Sequence, residues 1–127
     1  MNKVILDASA FLALINNEDG KDIVEPLLPY AIMSSVNISE VVGELHSKLS
    51  IPLNQIHKIL YLISEIHPFD KELATASGLL KQSCSHLGLS LGDRACLSLA
   101  SHLNLPVYTA DKAWSKLDTN LTITQIR

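Results

Sequence analysis

Cysteine, aromatic side chains and long apolar runs are all scarce in this chain of 127 residues. The two cysteines, Cys84 and Cys96, form no C-x-x-C pair and have no metal-ligand spacing, which argues against a cysteine-built metal site. Both fall in apolar helical patterns, so reduced thiols inside the core are expected. The longest apolar stretches, Phe11 to Ile15 and Ile59 to Ile63, fall far short of the roughly 20 residues a membrane span needs. Lys3 precedes a short apolar run, but Asp7 interrupts it at once, so no secretory signal is read there and a cytoplasmic protein is expected. Positive charge is also in short supply: the formal net charge is −3. Such a balance repels phosphate unless a cation intervenes or basic residues cluster. The five histidines, at 46, 57, 67, 86 and 102, show no pairing that suggests zinc, and His57 and His67 are read as surface or partly buried.

What remains is an ordinary globular composition, 47% hydrophobic and 18% charged, in a chain of single-domain length spanning residues 1–127. A chain of this size buries about two-thirds of its unfolded surface, enough to fold without disulfides. Short β-branched runs alternate with helical ones. Strands are expected at Lys3–Leu6, Ala31–Ser34, Ile66–Phe69, Pro106–Thr109 and Leu121–Thr124. Helices are expected at Ser9–Asn16, Lys21–Leu28 and Ile38–Leu49. Further helices should open at Pro52, after an Asp70 cap as far as about Leu87, at Gly92-Asp93 through Ala100, and at Lys112–Leu117. This alternation implies βαβ units: an α/β fold with a mostly parallel central sheet covered by helices on both faces, a three-layer sandwich. Ligands bind such sheets beyond the carboxyl ends of the strands.

Four acids fall at that edge. Asp7 follows the first strand, Glu40 lies early in the helix after the second, Asp93 opens a helix behind Gly92, and Asp111 follows Val107-Tyr108-Thr109. Capping is the plainer explanation for Asp7, Asp93 and Asp111, since Asp favours helix N-termini. Capping does not require convergence, however, and the topology supplies it. Two carboxylates about 5 Å apart repel by roughly 3 kcal/mol at an effective dielectric near 20. A hard divalent ion removes that repulsion, and an oxygen-only donor set suits Mg²⁺ or Mn²⁺ rather than zinc. Glu44, one turn beyond Glu40, is a possible fifth acid or a solvated helix charge. Arg94, Lys112 and Lys116 flank the acids as possible phosphate contacts or solvated charges. Trp114 is read as core or interface ahead of a base-stacking role. Apolar surplus around Phe11, Leu12, Leu14 and Ile15, and around Ile56, Leu60 and Ile63, suggests an interface, though burial within the monomer explains much of it.

The segments Val4-Ile5-Leu6-Asp7-Ala8-Ser9-Ala10, Asn37-Ile38-Ser39-Glu40-Val41, Leu89-Ser90-Leu91-Gly92-Asp93-Arg94-Ala95 and Tyr108-Thr109-Ala110-Asp111-Lys112-Ala113-Trp114 together resemble the four signature blocks of PIN-domain nucleases. They are most similar to those of VapC-type toxins from toxin–antitoxin pairs. The resemblance implies a PIN-like fold and endoribonuclease activity dependent on Mg²⁺ or Mn²⁺. It places the catalytic and metal-binding acids at Asp7, Glu40, Asp93 and Asp111, with Ser9 and Thr109 as accessory hydroxyls. It also implies an RNA substrate, a cognate antitoxin and a homodimer. Two alternatives stay open: a phosphotransfer or phosphatase-type α/β domain, although position 9 holds Ser where such phosphatases want a second Asp, and a metal-free binding module of the same fold.

Overall fold

The computed structural model describes residues 2–127. Its centre is a sheet of five parallel strands: β1 (Val4–Leu6), β2 (Ala31–Ser34), β3 (Glu65–His67), β4 (Val107–Thr109) and β5 (Ile123–Gln125), in the order β3-β2-β1-β4-β5. The chain builds outward from β1 to β3, then crosses back to place β4 on the other side of β1. The strand order therefore reverses at β1, where open α/β sheets leave a crevice.

β1 is only three residues long and wholly buried. Val4 and Leu6 face one apolar layer with Phe11, Met33, Val41 and Leu45. Ile5 faces the other with Ile32, Leu99, Val107 and Trp114. A strand buried on both faces needs apolar residues at every position, which is what Val4-Ile5-Leu6 supplies. The first layer carries α1 (Ala8–Ile15), α2 (Lys21–Val24), α3 (Ser35–Gly43) and α4 (Leu53–Leu60); the second carries α5 (Lys71–Ser83) and α6 (Leu91–Leu103). The expected α/β sandwich is the fold observed. Among the described residues no helix is long and apolar enough to cross a membrane.

Differences from the sequence reading lie in how elements end. The helix expected through Leu28 stops at Val24 and continues as a 3₁₀ segment, Glu25–Tyr30, because Pro26 cannot donate the next i→i−4 bond. The helix expected to reach Leu49 is α-helical only to Gly43, then widens into a π turn, Glu44–Lys48. Pro52 is the N-cap of α4 rather than its first residue. β3 ends at His67, since Pro68 has no N–H for the ladder. The long helix after the Asp70 cap ends at Ser83, with a 3₁₀ turn to Leu87. The last strand begins two residues later than expected and ends one later, at Ile123–Gln125. Cys96 is fully buried as expected, but Cys84 is only half-buried. Trp114 is core, packed under α6.

Candidate active site

Asp7 is the residue on which the crevice is built. β1 pairs with β4 so that Leu6 lies opposite Tyr108; one step further along, Asp7 meets Thr109 at the reversal point of the sheet. Asp7 is buried, and as the N-cap of α1 it accepts a 2.8 Å hydrogen bond at Oδ1 from the Ala10 N–H. The Ser9 hydroxyl lies 2.8 and 2.9 Å from its two carboxylate oxygens, and Thr109 Oγ1 donates to Oδ2 at 2.5 Å. Both hydroxyls also accept: Ser9 Oγ from the Ala110 N–H at 2.9 Å, and Thr109 Oγ1 from the Asp111 N–H at 3.0 Å. Ser9 and Thr109 thus lock the first acid to the backbone that carries the last one. Burial outweighs these donors and, with the nearby Asp93 charge, pushes the Asp7 carboxyl up to about 6.

Asp93 does not open its helix as expected; Ser90 is the N-cap instead, and Asp93 is the third residue of α6 in a capping box. Its N–H donates to Ser90 Oγ at 3.1 Å while its Oδ2 accepts from the Ser90 N–H at 3.0 Å. Asp111 caps the short 3₁₀ turn Lys112–Lys116, accepting at Oδ1 from the Ala113 N–H at 3.0 Å. Glu40 projects from the second turn of α3 toward α6, where Gly92 makes room for it: a Cβ at Gly92 would overlap the Glu40 carboxylate. The glycine is therefore there for space rather than for the tight helix entry that the sequence suggested.

The four acids line one open cleft of about 530 Å³, together with Ser9, Asn37 and Glu44. Their combined charge is felt beneath the floor: burial first, then Asp7, Asp93 and Glu40, raise the Cys96 thiol well above its usual range. No three His, Cys, Asp or Glu side chains among the described residues are placed closely enough to hold an ion as they stand. Asp93 and Asp111 each turn one oxygen back to a backbone N–H. The donor set still fits a hard divalent cation, being carboxylate and hydroxyl oxygens in a shared cleft, with the buried Asp7 carboxyl pushed up to about 6.

Among the other candidates, Glu44 does line the cleft and pairs with Lys48 at 3.0 Å. Arg94 does not: its guanidinium turns toward α5 and donates to the Ser77 carbonyl at 3.2 Å. Lys112 and Lys116 are exposed and outside the cleft lining. Ser47 and Lys48 escaped the sequence reading, and Asn37 entered it only within the Glu40 block with no role of its own, although Asn37, Glu40, Glu44 and Ser47–Lys48 recur at three- and four-residue steps along one helical face. That polar periodicity was the available signal.

A family model described as the PIN domain matches residues 4–120. The chain belongs to the PIN-domain family. This PIN domain is also similar in fold to solved structures. One, a toxin–antitoxin complex from Klebsiella pneumoniae, has a TM-score of 0.78 at 17% identity, with 98% of each chain covered. A second, DNA-bound VapBC from Salmonella typhimurium, gives 0.77 at 16% identity with both chains covered in full. A third, FitAcB from Neisseria gonorrhoeae, gives 0.69 at 19% identity, with 97% of each chain covered. Comparison with curated protein sequences gives no match.

Proposed function

We propose that this PIN domain is a divalent-metal-dependent endoribonuclease, the VapC-type toxin of a toxin–antitoxin pair acting in the cytoplasm. The observation that carries the reading is the delivery of Asp7, Glu40, Asp93 and Asp111 from separate elements into one cleft at the reversal point of the sheet. Toxin–antitoxin complexes among the proteins of like fold support the partner. A bound Mg²⁺ or Mn²⁺ would neutralise the acids, hold the scissile phosphate and lower the pKa of an attacking water. Asp7, fixed by Ser9, Thr109 and the Ala10 N–H, is the anchoring ligand. Glu40, Asp93 and Asp111 offer oxygens from the rim. Ser9 and Thr109 direct their protons to Asp7, so their role is to orient it rather than to touch RNA. Lys48 on the cleft wall is already paired with Glu44, so the bound ion would carry the task of offsetting the repulsion that the acids exert on a phosphate chain.

This arrangement does not suit the phosphotransfer alternative. Such phosphatases want a second Asp two residues after the first, and here that position is Ser9, whose hydroxyl is turned onto the Asp7 carboxylate. The purified chain is expected to cleave RNA with Mn²⁺, to stop on chelation with EDTA, and to lose cleavage in Asp93→Asn. Thermal stability of that variant should hold, because Asn Oδ1 still accepts from the Ser90 N–H. Cleavage that persists in EDTA or in the variant would refute the assignment.

For partners, the expected interface is apolar. Part of the surplus seen in the sequence is core: Phe11, Ile56 and Ile63 are buried, and Leu12, Leu14, Ile15 and Leu60 are partly buried against them. Leu53, Tyr61, Leu62 and Ile66 remain exposed, Tyr61 at 86%, and are the surface assigned to a homodimer and to an antitoxin segment. Light scattering is expected to show a dimer that enlarges with a co-encoded partner. A monomer that takes up no such partner would remove this part of the reading.

A further inference from the structure

Asn37 is 1% exposed, yet its side chain is only half satisfied. Nδ2 donates to Glu40 Oε1 at 2.8 Å and to the Gly92 carbonyl at 3.1 Å. Oδ1 is buried and has no partner among the described residues. Turning the amide over cannot relieve this. Both groups facing the nitrogen are acceptors, so only the –NH₂ side fits against them. A buried carbonyl without a donor destabilises a protein, and a leucine of similar size would avoid the cost. Packing between α3 and α6 therefore gives no reason for an asparagine at this position.

The amide does one thing an apolar side chain cannot. Its two N–H groups join a carboxylate carried on α3 to the backbone at the start of α6, one residue before Asp93. Gly92 completes the seat, since any side chain there would take the place of the Glu40 carboxylate. Glu40 is exposed and long; without this bridge its carboxylate would sample several rotamers over the cleft. We propose that Asn37 is a positioning residue that pins the Glu40 carboxylate beside Asp93, so that the acids of the two helices act on the same ion. The role rests on the metal-dependent reading above.

The test is Mn²⁺ titration by calorimetry on the whole chain without RNA, with thermal unfolding alongside. Asn37→Leu should weaken Mn²⁺ binding by roughly 10- to 100-fold, the usual effect of losing a group that orients a ligand, with Tm unchanged or raised. A residue that served packing alone would show the reverse: a lower Tm and wild-type affinity. Asn37→Ala, which removes the amide without adding bulk, covers the case in which leucine fails to fit. In a Glu40→Gln background, Asn37→Leu should weaken Mn²⁺ binding no further. Wild-type affinity in both single variants, or an undiminished loss in that background, overturns the role. A wild-type chain that takes up no Mn²⁺ while folded overturns the metal reading itself and the positioning role with it.

Discussion

Asp7→Asn is expected to abolish cleavage and, without divalent ions, to make the protein more stable at neutral pH. The first effect follows from removing the buried anchoring carboxylate. The second follows from the proton linkage of that group. Burial raises the native carboxyl to about 6, whereas in the unfolded chain it ionises near 3.8. Between those values the native state holds a proton that the unfolded chain has released. The contribution of Asp7 is therefore complete below about pH 4, declines as pH rises through 6, and is gone above it. A shift of about two units corresponds to about 3 kcal/mol. Asparagine cannot ionise, so the difference between the variant and wild type should grow from near zero at pH 4 to as much as about 3 kcal/mol above pH 7. Some of that gain is offset because Asn Nδ2 faces the Thr109 hydroxyl, which must turn its hydrogen toward Ser9 Oγ, 3.4 Å away. Mn²⁺ should restore wild-type stability at pH 7 and leave the variant unchanged. Denaturant unfolding from pH 4 to 8, with and without Mn²⁺, measures all of this. A pH-independent difference between the two proteins would show that Asp7 is an ordinary cap.

Gly92→Ala should cost catalysis while leaving the fold intact. Gly92 lies in the first turn of α6 with ordinary helical backbone, where alanine is intrinsically preferred by about 1 kcal/mol. By propensity alone the change should stabilise. The added methyl, however, would occupy the space of the Glu40 carboxylate. That side chain is the element able to yield, so it swings out and its bond from Asn37 Nδ2 is lost. A displacement of about 1 Å in a catalytic constellation typically costs on the order of 100-fold in rate. The expected result is a fall of that order in cleavage rate with Tm unchanged or slightly higher. A wild-type rate in Gly92→Ala would mean that the position of Glu40 does not matter to the chemistry.

The two substitutions also bear on how the acids are held around their shared cleft. Asp93 and Asp111 each satisfy a backbone N–H at a helix start, and Glu40 is held by Asn37. Each of these three acids thus has a partner within the chain that fixes one of its oxygens. On the metal-dependent reading proposed above, Glu40, Asp93 and Asp111 would offer oxygens to an ion beside Asp7, which its three donors hold in place.

Local chemistry written in the sequence determined the elements and the edge at which the acids appear. Three apolar residues followed by Asp specify a buried strand that ends in a cap, and the alternation of such strands with helices leaves a parallel sheet as the economical arrangement. The four acids, with Ser9 and Thr109, were legible for that reason. Other features belong to the tertiary structure alone. Register between β1 and β4 brought Thr109 to Asp7, residues about a hundred positions apart. Packing of α3 against α6 gave Gly92 its task of making room for Glu40 and gave Asn37 its bridge. Arg94 stands beside Asp93 in the chain but rotates around α6 toward α5, since adjacent residues on a helix point about 100° apart. Whether a residue lies near the acids in sequence or in space is decided by that rotation and by strand register, and neither can be read until the elements have been packed together.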